Sequence, residues 1–186
     1  MAISTETKLQ MRELELNALF DTITAINNNS SEEDLYRIYS FINHSNTTID
    51  KLVLFVLDEN NQWNCQVSFG TKHTYNSLCL PEEITKITEI ADTKILKNIP
   101  LFKEFSTVLP IKHKDKILAY SLIGTAKEQE EKLDVGFLTA LTNIIIVAVE
   151  NKKLARKEKK QAAFRRQMDI AKDVQTLLFP KKLPYR

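Results

Sequence analysis

Cysteine and histidine can bind metals, form covalent bonds and transfer protons, so their spacing is the first indication of the chemistry that this chain could perform. Cys65 and Cys79 stand fourteen positions apart, and neither has a second cysteine or a histidine at a spacing typical of zinc ligands. His44, His73 and His113 are just as scattered, and none stands four positions from another ligand type. The pattern predicts reduced thiols, solvated histidines and no metal site.

The motifs of phosphate binding and of serine catalysis are absent from the sequence. Glycine occurs at Gly70, Gly124 and Gly136 only, so there is no glycine-rich loop that could cradle a phosphate group. Serine is plentiful, but no G-x-S-x-G nucleophile elbow occurs. We therefore expect no catalytic residue in this chain and no enzymatic activity of its own.

Positive charge is concentrated in one segment near the C-terminus. Residues 151–167 contain eight basic side chains and one acid, whereas the rest of the chain has a net charge of −5. The first interpretation is a solvated linker, and the alternative is nucleic-acid binding through 152–166, because clustered cations neutralise phosphates. Since Phe164 is the one ring there that could stack on a base, we rank nucleic acid below the linker.

The sequence also lacks the usual signals for a membrane. The N-terminal stretch MAISTETKLQMRELEL has neither the basic start nor the apolar core of a signal peptide. The longest apolar run, Ile144 to Val149, is far shorter than the roughly 20 residues that cross a bilayer. We expect a cytoplasmic protein with no membrane partner.

Hydrophobic spacing predicts two helices at the N-terminus. Leu9, Leu16 and Ile23 recur every seven residues, and Leu19 and Ile26 fill the positions between them. The asparagines at 27–29 then end the first helix. A capping run at 30–34 precedes a second helix, whose apolar residues at 35, 38, 39 and 42 form the stripe of a helix docked on a core.

The central part of the chain changes to the period of β-strands. Lys51–Asp58 is apolar on both alternating faces, which is typical of a central strand covered on both sides. Gln62–Phe69 is a second strand, and Phe105–Ile111 with Lys116–Gly124 forms a hairpin around the polar turn at 113–115. The region between the two strand pairs is irregular and includes a short helix over Pro81–Ile90.

From Glu131 nothing except Gly136 interrupts a helix until Pro180, which predicts a helix of roughly 45 residues. The order of elements indicates an α+β fold, with an antiparallel sheet flanked by helices and a long projecting C-terminal helix. A helix of that length needs a partner beyond one small domain, and a second copy of the same chain is the simplest one.

The order of these segments resembles that of a GAF domain, a widespread fold of small-ligand sensing and signalling. The matching pieces are LNALFDTITAINNNSS at Leu16–Ser31, then DLYRIYSF, KLVLFVLDEN and, most closely, VLPIKHKDKILAYSLIG. The resemblance implies a sensor that holds an unknown small ligand between the sheet and the irregular region. The signature of cyclic-nucleotide binding is not found, and Cys65, Cys79 and His73 are only weak candidates for holding a bilin or a haem.

The GAF resemblance places a ligand pocket on eight apolar side chains, with plain core packing of the same residues as the alternative. These residues are Phe55, Val67, Phe69, Leu78, Ile84, Ile87, Phe105 and Tyr120.

The C-terminal segment resembles the stretch that opens bacterial PPM-type serine/threonine phosphatases of the sporulation and stress-sigma-regulator type. It covers Gln161–Pro184, and its matching features are Met168, Ile170-Ala171-Lys172, Val174-Gln175, Leu177-Leu178, Pro180 and Leu183-Pro184. The resemblance implies a downstream phosphatase domain that would bind Mn²⁺ or Mg²⁺ and act on a phosphorylated anti-sigma antagonist. No cofactor is expected in the segment present.

These features divide the chain into an N-terminal dimerisation helix at 1–27, a GAF-like sensor at 28–150, a signalling linker at 151–178 and the start of a phosphatase domain at 179–186. The terminal helices should pair two copies, and a ligand or partner at the sensor would then shift their packing. The expected interface residues are Leu9, Leu16, Leu19, Ile23, Ile26, Leu138, Leu141, Ile145 and Ala148.

The predicted function is a sensory and dimerisation module that controls a protein serine/threonine phosphatase in bacterial signal transduction. Two alternatives stay open at this point. One is an assembly module that works through its helices without a small ligand, and the other is a nucleic-acid-binding regulator.

Overall fold

The computed structural model describes residues 5–46, 48–75, 78–92, 99–125 and 133–178. Within them, one antiparallel sheet in the order β2-β1-β5-β4-β3 is flanked by helices, which confirms the predicted α+β fold. The elements in chain order are α1 Thr5–Asn27, α2 Glu32–Ser45, β1 Lys51–Leu57, β2 Trp63–Phe69, α3 Glu82–Thr85, β3 Ala91–Asp92, a 3₁₀ turn at Pro100–Phe102, β4 Thr107–His113, β5 Lys116–Gly124 and α4 Val135–Leu178. The first two residues of the predicted long helix, 131–132, and its end beyond 178 lie outside the described residues.

Strand β1 lies inside the sheet between β2 and β5, with apolar side chains on both faces. Leu52 and Leu54 point into one hydrophobic cluster, and Val53 and Phe55 point into another on the opposite face. All four side chains are fully buried. The apolar run LVLFVL, which follows Lys51, is therefore explained by the position of β1 as a central strand covered on both faces.

One face of the sheet is covered by α1, α2 and the first part of α4. Residues of α2 and of α4 share a cluster with β1, β4 and β5, and the inward side of α1 packs on it through partly buried Ala18, Leu19 and Ile26. Inside this core the hydroxyl of Tyr39 lies 3.0 Å from Ser121 Oγ and 3.1 Å from Thr142 Oγ1. These buried hydrogen bonds tie α2, β5 and α4 together and limit the positions that α4 can take on the sheet.

The start of α2 is fixed by a reciprocal cap. The Ser31 hydroxyl oxygen accepts a bond from the Asp34 backbone N–H at 3.1 Å, and the Asp34 carboxylate accepts one from the Ser31 N–H at 3.3 Å. Hydrogen bonds from the hydroxyl and backbone of Ser31 hold the pKa of Asp34 below its ordinary value. Asn29 stands just before this cap with φ of +57°, as expected of an asparagine that closes a helix.

Helix α3 is shorter than the predicted helix over Pro81–Ile90. It spans Glu82–Thr85, with Pro81 as its N-cap. The Tyr120 hydroxyl lies 2.8 Å from the carbonyl oxygen of Thr85 and 3.1 Å from that of Ile87, and it donates to this pair. Because a side chain from β5 satisfies these carbonyl groups, the chain can leave the helix early without burying unpaired oxygens.

Helix α4 is 44 residues long, about 66 Å at 1.5 Å per residue. By length and composition alone, one stretch of it could cross a bilayer. Several side chains of that stretch, among them Leu138, Leu141 and Ile145, are buried on the sheet, as in the core helix of a folded domain. The chain divides into two compact units, Met1–Val149 and Glu150–Arg186, and α4 contributes to both.

Candidate functional site

The face of the sheet opposite α1 and α2 carries a cluster of aromatic side chains. Tyr75, Phe102 and Phe105 form a contiguous group, with ring centroids 5.4 to 6.3 Å apart. Phe55 meets both Tyr75 and Phe102 at 6.3 Å. Aromatic rings at these separations are in direct contact, so this part of the face is a packed core.

Six of the eight predicted pocket residues lie on this aromatic face. Five of them are buried in its cluster and Leu78 packs against it partly buried; the six are Phe55, Leu78, Ile84, Ile87, Phe105 and Tyr120. Tyr120 also meets Trp63 edge-on at 5.0 Å. In the described residues these side chains belong to one hydrophobic cluster.

The other two predicted pocket residues, Val67 and Phe69, lie on the opposite face. Val67 is buried in the cluster beneath the helices, and Phe69 packs against that cluster with its ring 5.1 Å from that of His44. The pairing of β1 with β2 steps from Leu54–Val67 to Phe55–Cys65, so Gln66 is an extra residue in β2. This β-bulge reverses the alternation of side chains and sends Val67 and Phe69 to the helical side.

A polar network closes the edge of the aromatic face. The Tyr75 hydroxyl donates to the Leu101 carbonyl oxygen at 2.7 Å and lies 2.8 Å from Glu104 Oε1. The other oxygen of Glu104 accepts from the Lys72 backbone N–H at 3.3 Å and lies 3.3 Å from Lys51 Nζ. Glu104 therefore joins three parts of the chain: the loop after β2, the 3₁₀ turn and the start of β1.

The ionisation of Glu104 and Tyr75 reflects this network. Burial opposes the charge on Glu104, but the bonds from Tyr75 and Lys72 and the ammonium of Lys51 outweigh it and lower the pKa of the carboxyl. Burial, the hydrogen bond with Glu104 and its negative charge together raise the pKa of Tyr75. At neutral pH the pair is a carboxylate and a neutral phenol.

We expect Glu104→Gln to lower the free energy of unfolding by about 1 kcal/mol at pH 7, because hydrogen bonds to a charged acceptor are replaced by weaker ones. The folded pKa of Glu104 is lowered, so its stabilisation is present above the ordinary glutamate pKa and is lost as the pH falls through the folded value. Urea titrations of both proteins from pH 7 to pH 3 should show the difference shrinking. A difference that grows on acidification would contradict this role of Glu104. The exposed Glu82→Gln is the matched control.

The two cysteines differ in exposure. Burial raises the pKa of the half-buried Cys65 thiol to about 11, and its sulfur donates a weak bond to the Val67 carbonyl oxygen at 3.5 Å. Cys79 is exposed. No group of three or more histidine, cysteine or acidic side chains that could hold a metal occurs in the described part of the chain.

The outward side of α1 presents a row of exposed apolar side chains. Leu9, Leu16, Phe20 and Ile23 follow heptad spacing and are 68%, 54%, 65% and 41% exposed. The predicted interface residues Leu19 and Ile26 instead turn inward and pack partly buried on the core. We call the four exposed residues the α1 stripe.

The four interface residues predicted on α4 belong to the core of the protomer. Leu138, Leu141, Ile145 and Ala148 are at most 8% exposed and pack in the cluster beneath the helices. Their spacing is that of a helix docked on its own sheet, so they cannot also meet a partner helix. The assignment of these four residues to a dimer interface is corrected accordingly.

Helices α1 and α2 border an open groove of about 840 Å³. Its apolar walls include Met11, Leu14, Ile38 and Phe41, and Phe137 lies among its lining residues. Phe41 and Leu14 are 73% and 70% exposed, so the groove is a second apolar surface beside the α1 stripe.

In the unit Glu150–Arg186, the side chains from Leu154 to Leu177 are exposed. They include several large apolar residues, each between 46% and 84% exposed: Leu154, Phe164, Met168, Ile170, Val174 and Leu177. This part of α4 therefore exposes apolar surface to solvent in the protomer.

No protein-family model and no curated protein matches the chain significantly. Solved structures do match it, and they share its architecture. A methyl-accepting chemotaxis protein, residues 122 to 287, superposes with a TM-score of 0.56 at 14% identity, over 74% of this chain and 99% of that one. The GAF domain of an Acinetobacter phosphoenolpyruvate-protein phosphotransferase gives 0.56 at 16% identity, over 75% and 94%. A GAF domain/HD domain protein from Geobacter sulfurreducens gives 0.55 at 10% identity, over 69% and 98%.

This chain has the GAF fold. The expected resemblance is confirmed at the level of architecture, since two of these neighbours are described as GAF-domain proteins. In this GAF fold, the place expected for a ligand, between the sheet and the region 71–105, contains the packed aromatic cluster. Residues 76–77 and 93–98 of that region lie outside the described residues, as does the predicted start of the phosphatase domain at 179–186.

Proposed function

We propose that this chain is a regulatory module of the GAF fold that pairs with a second copy of itself and controls a downstream protein serine/threonine phosphatase. The observation that carries the pairing is the α1 stripe, four apolar side chains that are each at least 41% exposed in the protomer. Such a heptad row is the sequence of a helix–helix interface, and a second copy offers the same row in return. The exposed apolar side chains of residues 163–177 in α4 pair in the same way.

The phosphatase link rests on the resemblance of Gln161–Pro184 to the segment that opens PPM-type phosphatases. In this proposal the chain has no catalytic activity of its own and requires no cofactor. Mn²⁺ or Mg²⁺ is required only by the phosphatase domain, whose substrate is a phosphorylated anti-sigma antagonist in the cytoplasm. A signal received by the GAF body changes the packing of the paired helices and so changes the activity of the phosphatase.

A second candidate is an assembly module that works through its helices and holds no small ligand. The packed aromatic face favours it, because Tyr120, Ile84 and Phe105 fill the place where the resemblance expects a ligand. In that case the incoming signal is a protein partner, and the groove between α1 and α2 is a surface that it could contact.

We expect Phe20→Asp to weaken the dimer at least tenfold, because it places a charge in the apolar interface of both copies at once. Sedimentation equilibrium of the unmodified chain and the variant over micromolar concentrations measures the effect. Phe41→Asp is the matched control, since Phe41 is at least as exposed as Phe20 (73% against 65%) but lies on α2 outside the stripe. An unmodified chain that stays monomeric at tens of micromolar would contradict the pairing.

The regulatory role has a separate test in a protein that joins this chain to the proposed phosphatase domain. Its Mn²⁺-dependent hydrolysis of a phosphoserine peptide should change when Phe20→Asp makes it monomeric. A phosphatase that works at the same rate as a monomer and as a dimer would leave the pairing intact but refute its regulatory role.

A further inference from the structure

One face of α4 changes from basic to apolar along its length. Successive helical residues are turned by 100°, so Ala163, Gln167, Ile170, Val174 and Leu177 form one row at alternating steps of four and three. This row is the interface that residues 163–177 offer to a second copy under the function proposed above, and the present inference rests on that pairing.

The same row continues toward the N-terminus through basic residues. Steps of three and four from Ala163 lead to Lys160 and Arg156. The neighbouring row, Phe164 with Met168, leads back through Gln161 to Lys157. Whichever row is used, the apolar interface therefore runs into cations within two helical turns.

Two parallel copies would place these cations opposite their own counterparts. The stretch 152–160 holds six of the chain's basic side chains and one acid, Glu158, within about 14 Å of helix. Like charges facing one another repel, and side chains at Lys157, Lys159 and Lys160 are exposed to solvent, so the repulsion depends on the ions present. The two helices are then held together by the apolar residues at 163–177 and repel each other within 152–160.

We propose that the paired 152–160 stretches form a binding site for a multivalent phosphate anion, which bridges the two helices. Lysine ammonium groups donate hydrogen bonds to phosphate oxygens, and the exposed Lys157, Lys159 and Lys160 of two copies provide six ammonium groups for one compact ligand. No aromatic residue occurs between 151 and 163, which disfavours base stacking and hence a nucleic acid. The bound anion neutralises the repulsion, so the two helices approach each other at 152–160. This change in helix packing would then reach the residues that follow α4.

The test uses sodium tripolyphosphate as the probe, with sodium chloride at the same ionic strength as the reference. Sedimentation equilibrium of the full chain should show a dimer at least tenfold tighter with tripolyphosphate than with chloride. The double variant Lys157→Gln/Lys160→Gln should lose this gain. Arg165→Gln/Arg166→Gln, which removes two charges outside the 152–160 stretch, should keep it.

Several outcomes would overturn the inference. If tripolyphosphate and chloride tighten the dimer equally, the effect is ordinary charge screening and no anion site exists. If tripolyphosphate still tightens the dimer of Lys157→Gln/Lys160→Gln, the anion binds elsewhere. Binding to phosphatidylglycerol vesicles or to a DNA duplex without any response to tripolyphosphate would assign the cations to a macromolecule. A dimer that ignores the probe contradicts this inference alone, whereas a monomer under every condition contradicts the pairing itself.

Discussion

Leu141→Ala is expected to lower the free energy of unfolding by about 2–5 kcal/mol, because it removes a fully buried side chain between α4 and the sheet. The loss has two causes: the apolar surface that is no longer buried, and the cavity that the surrounding residues cannot fill completely. Urea denaturation measures it directly. The loss should be the same at low and at high protein concentration, since the contacts of Leu141 lie within one protomer.

Leu16→Ala is the matched control for this prediction. It removes the same atoms from a side chain that is 54% exposed, so it should change the stability of the monomer by no more than about 0.5 kcal/mol while weakening the dimer. The reverse pattern, in which Leu141→Ala affects only the dimer and Leu16→Ala unfolds the monomer, would show that the two faces have been assigned the wrong way round.

Gly70→Ala is expected to destabilise the chain by about 2–4 kcal/mol, since two unfavourable effects coincide at this position. Gly70 has φ of +67°, a conformation that residues with a side chain rarely adopt. A Cβ atom there would also lie 1.9 Å from the Asp50 carbonyl oxygen, which belongs to the backbone and cannot rotate away. The end of β2 or the start of β1 would have to move, and thermal unfolding should reveal the loss.

Gly136→Ala provides the comparison for Gly70. Gly136 is exposed in the first turn of α4, and the nearest atom to an added Cβ is Asp134 Oδ1 at 3.2 Å. Alanine also favours a helix by about 0.5–1 kcal/mol over glycine. The stability should therefore change by less than about 1 kcal/mol, and a loss equal to that of Gly70→Ala would contradict the account of the Gly70 turn.

The strands and the hairpin could be predicted because their hydrophobic pattern is compatible with only one kind of local structure. A run such as LVLFVL, apolar at every position, is typical of a strand that is covered on both faces, and β1 is such a strand. The long helix was predictable for a similar reason, since nothing in its sequence stops it. The end of α3 was not, because it depends on the Tyr120 hydroxyl, which comes from a strand 35 positions away.

The interface on α4 could not be read correctly from its spacing. Leu138, Leu141 and Ile145 recur as they would in a coiled coil, but the same recurrence is produced by a helix docked on its own sheet. Only the tertiary structure decides between the two, and it buries these residues in the protomer. The same ambiguity affects the interface predicted on α1. There Leu9, Leu16 and Ile23 face solvent, whereas Leu19 and Ile26 pack on the core.

The face of the sheet predicted for Val67 and Phe69 was wrong for a different reason. Strict alternation places them on the same face as Cys65, and the single extra residue Gln66 reverses that. A bulge of this kind leaves no mark in composition or periodicity. The six remaining residues do lie together in one cluster. A list of apolar positions contains no information on whether such residues pack on one another or line a pocket.

The central claim is that two copies meet through the α1 stripe, and thiol cross-linking at Leu16 tests it most directly. Leu16 is the middle of the stripe from Leu9 to Ile23, so in the proposed pair it would face its own counterpart whether the two helices run parallel or antiparallel. In a Cys79→Ser background, Leu16→Cys should give a disulfide-linked dimer on mild oxidation, whereas Gln10→Cys, about 120° around the same helix, should not. Equal cross-linking at both positions, or none at Leu16 at concentrations where the chain is dimeric, would contradict the account.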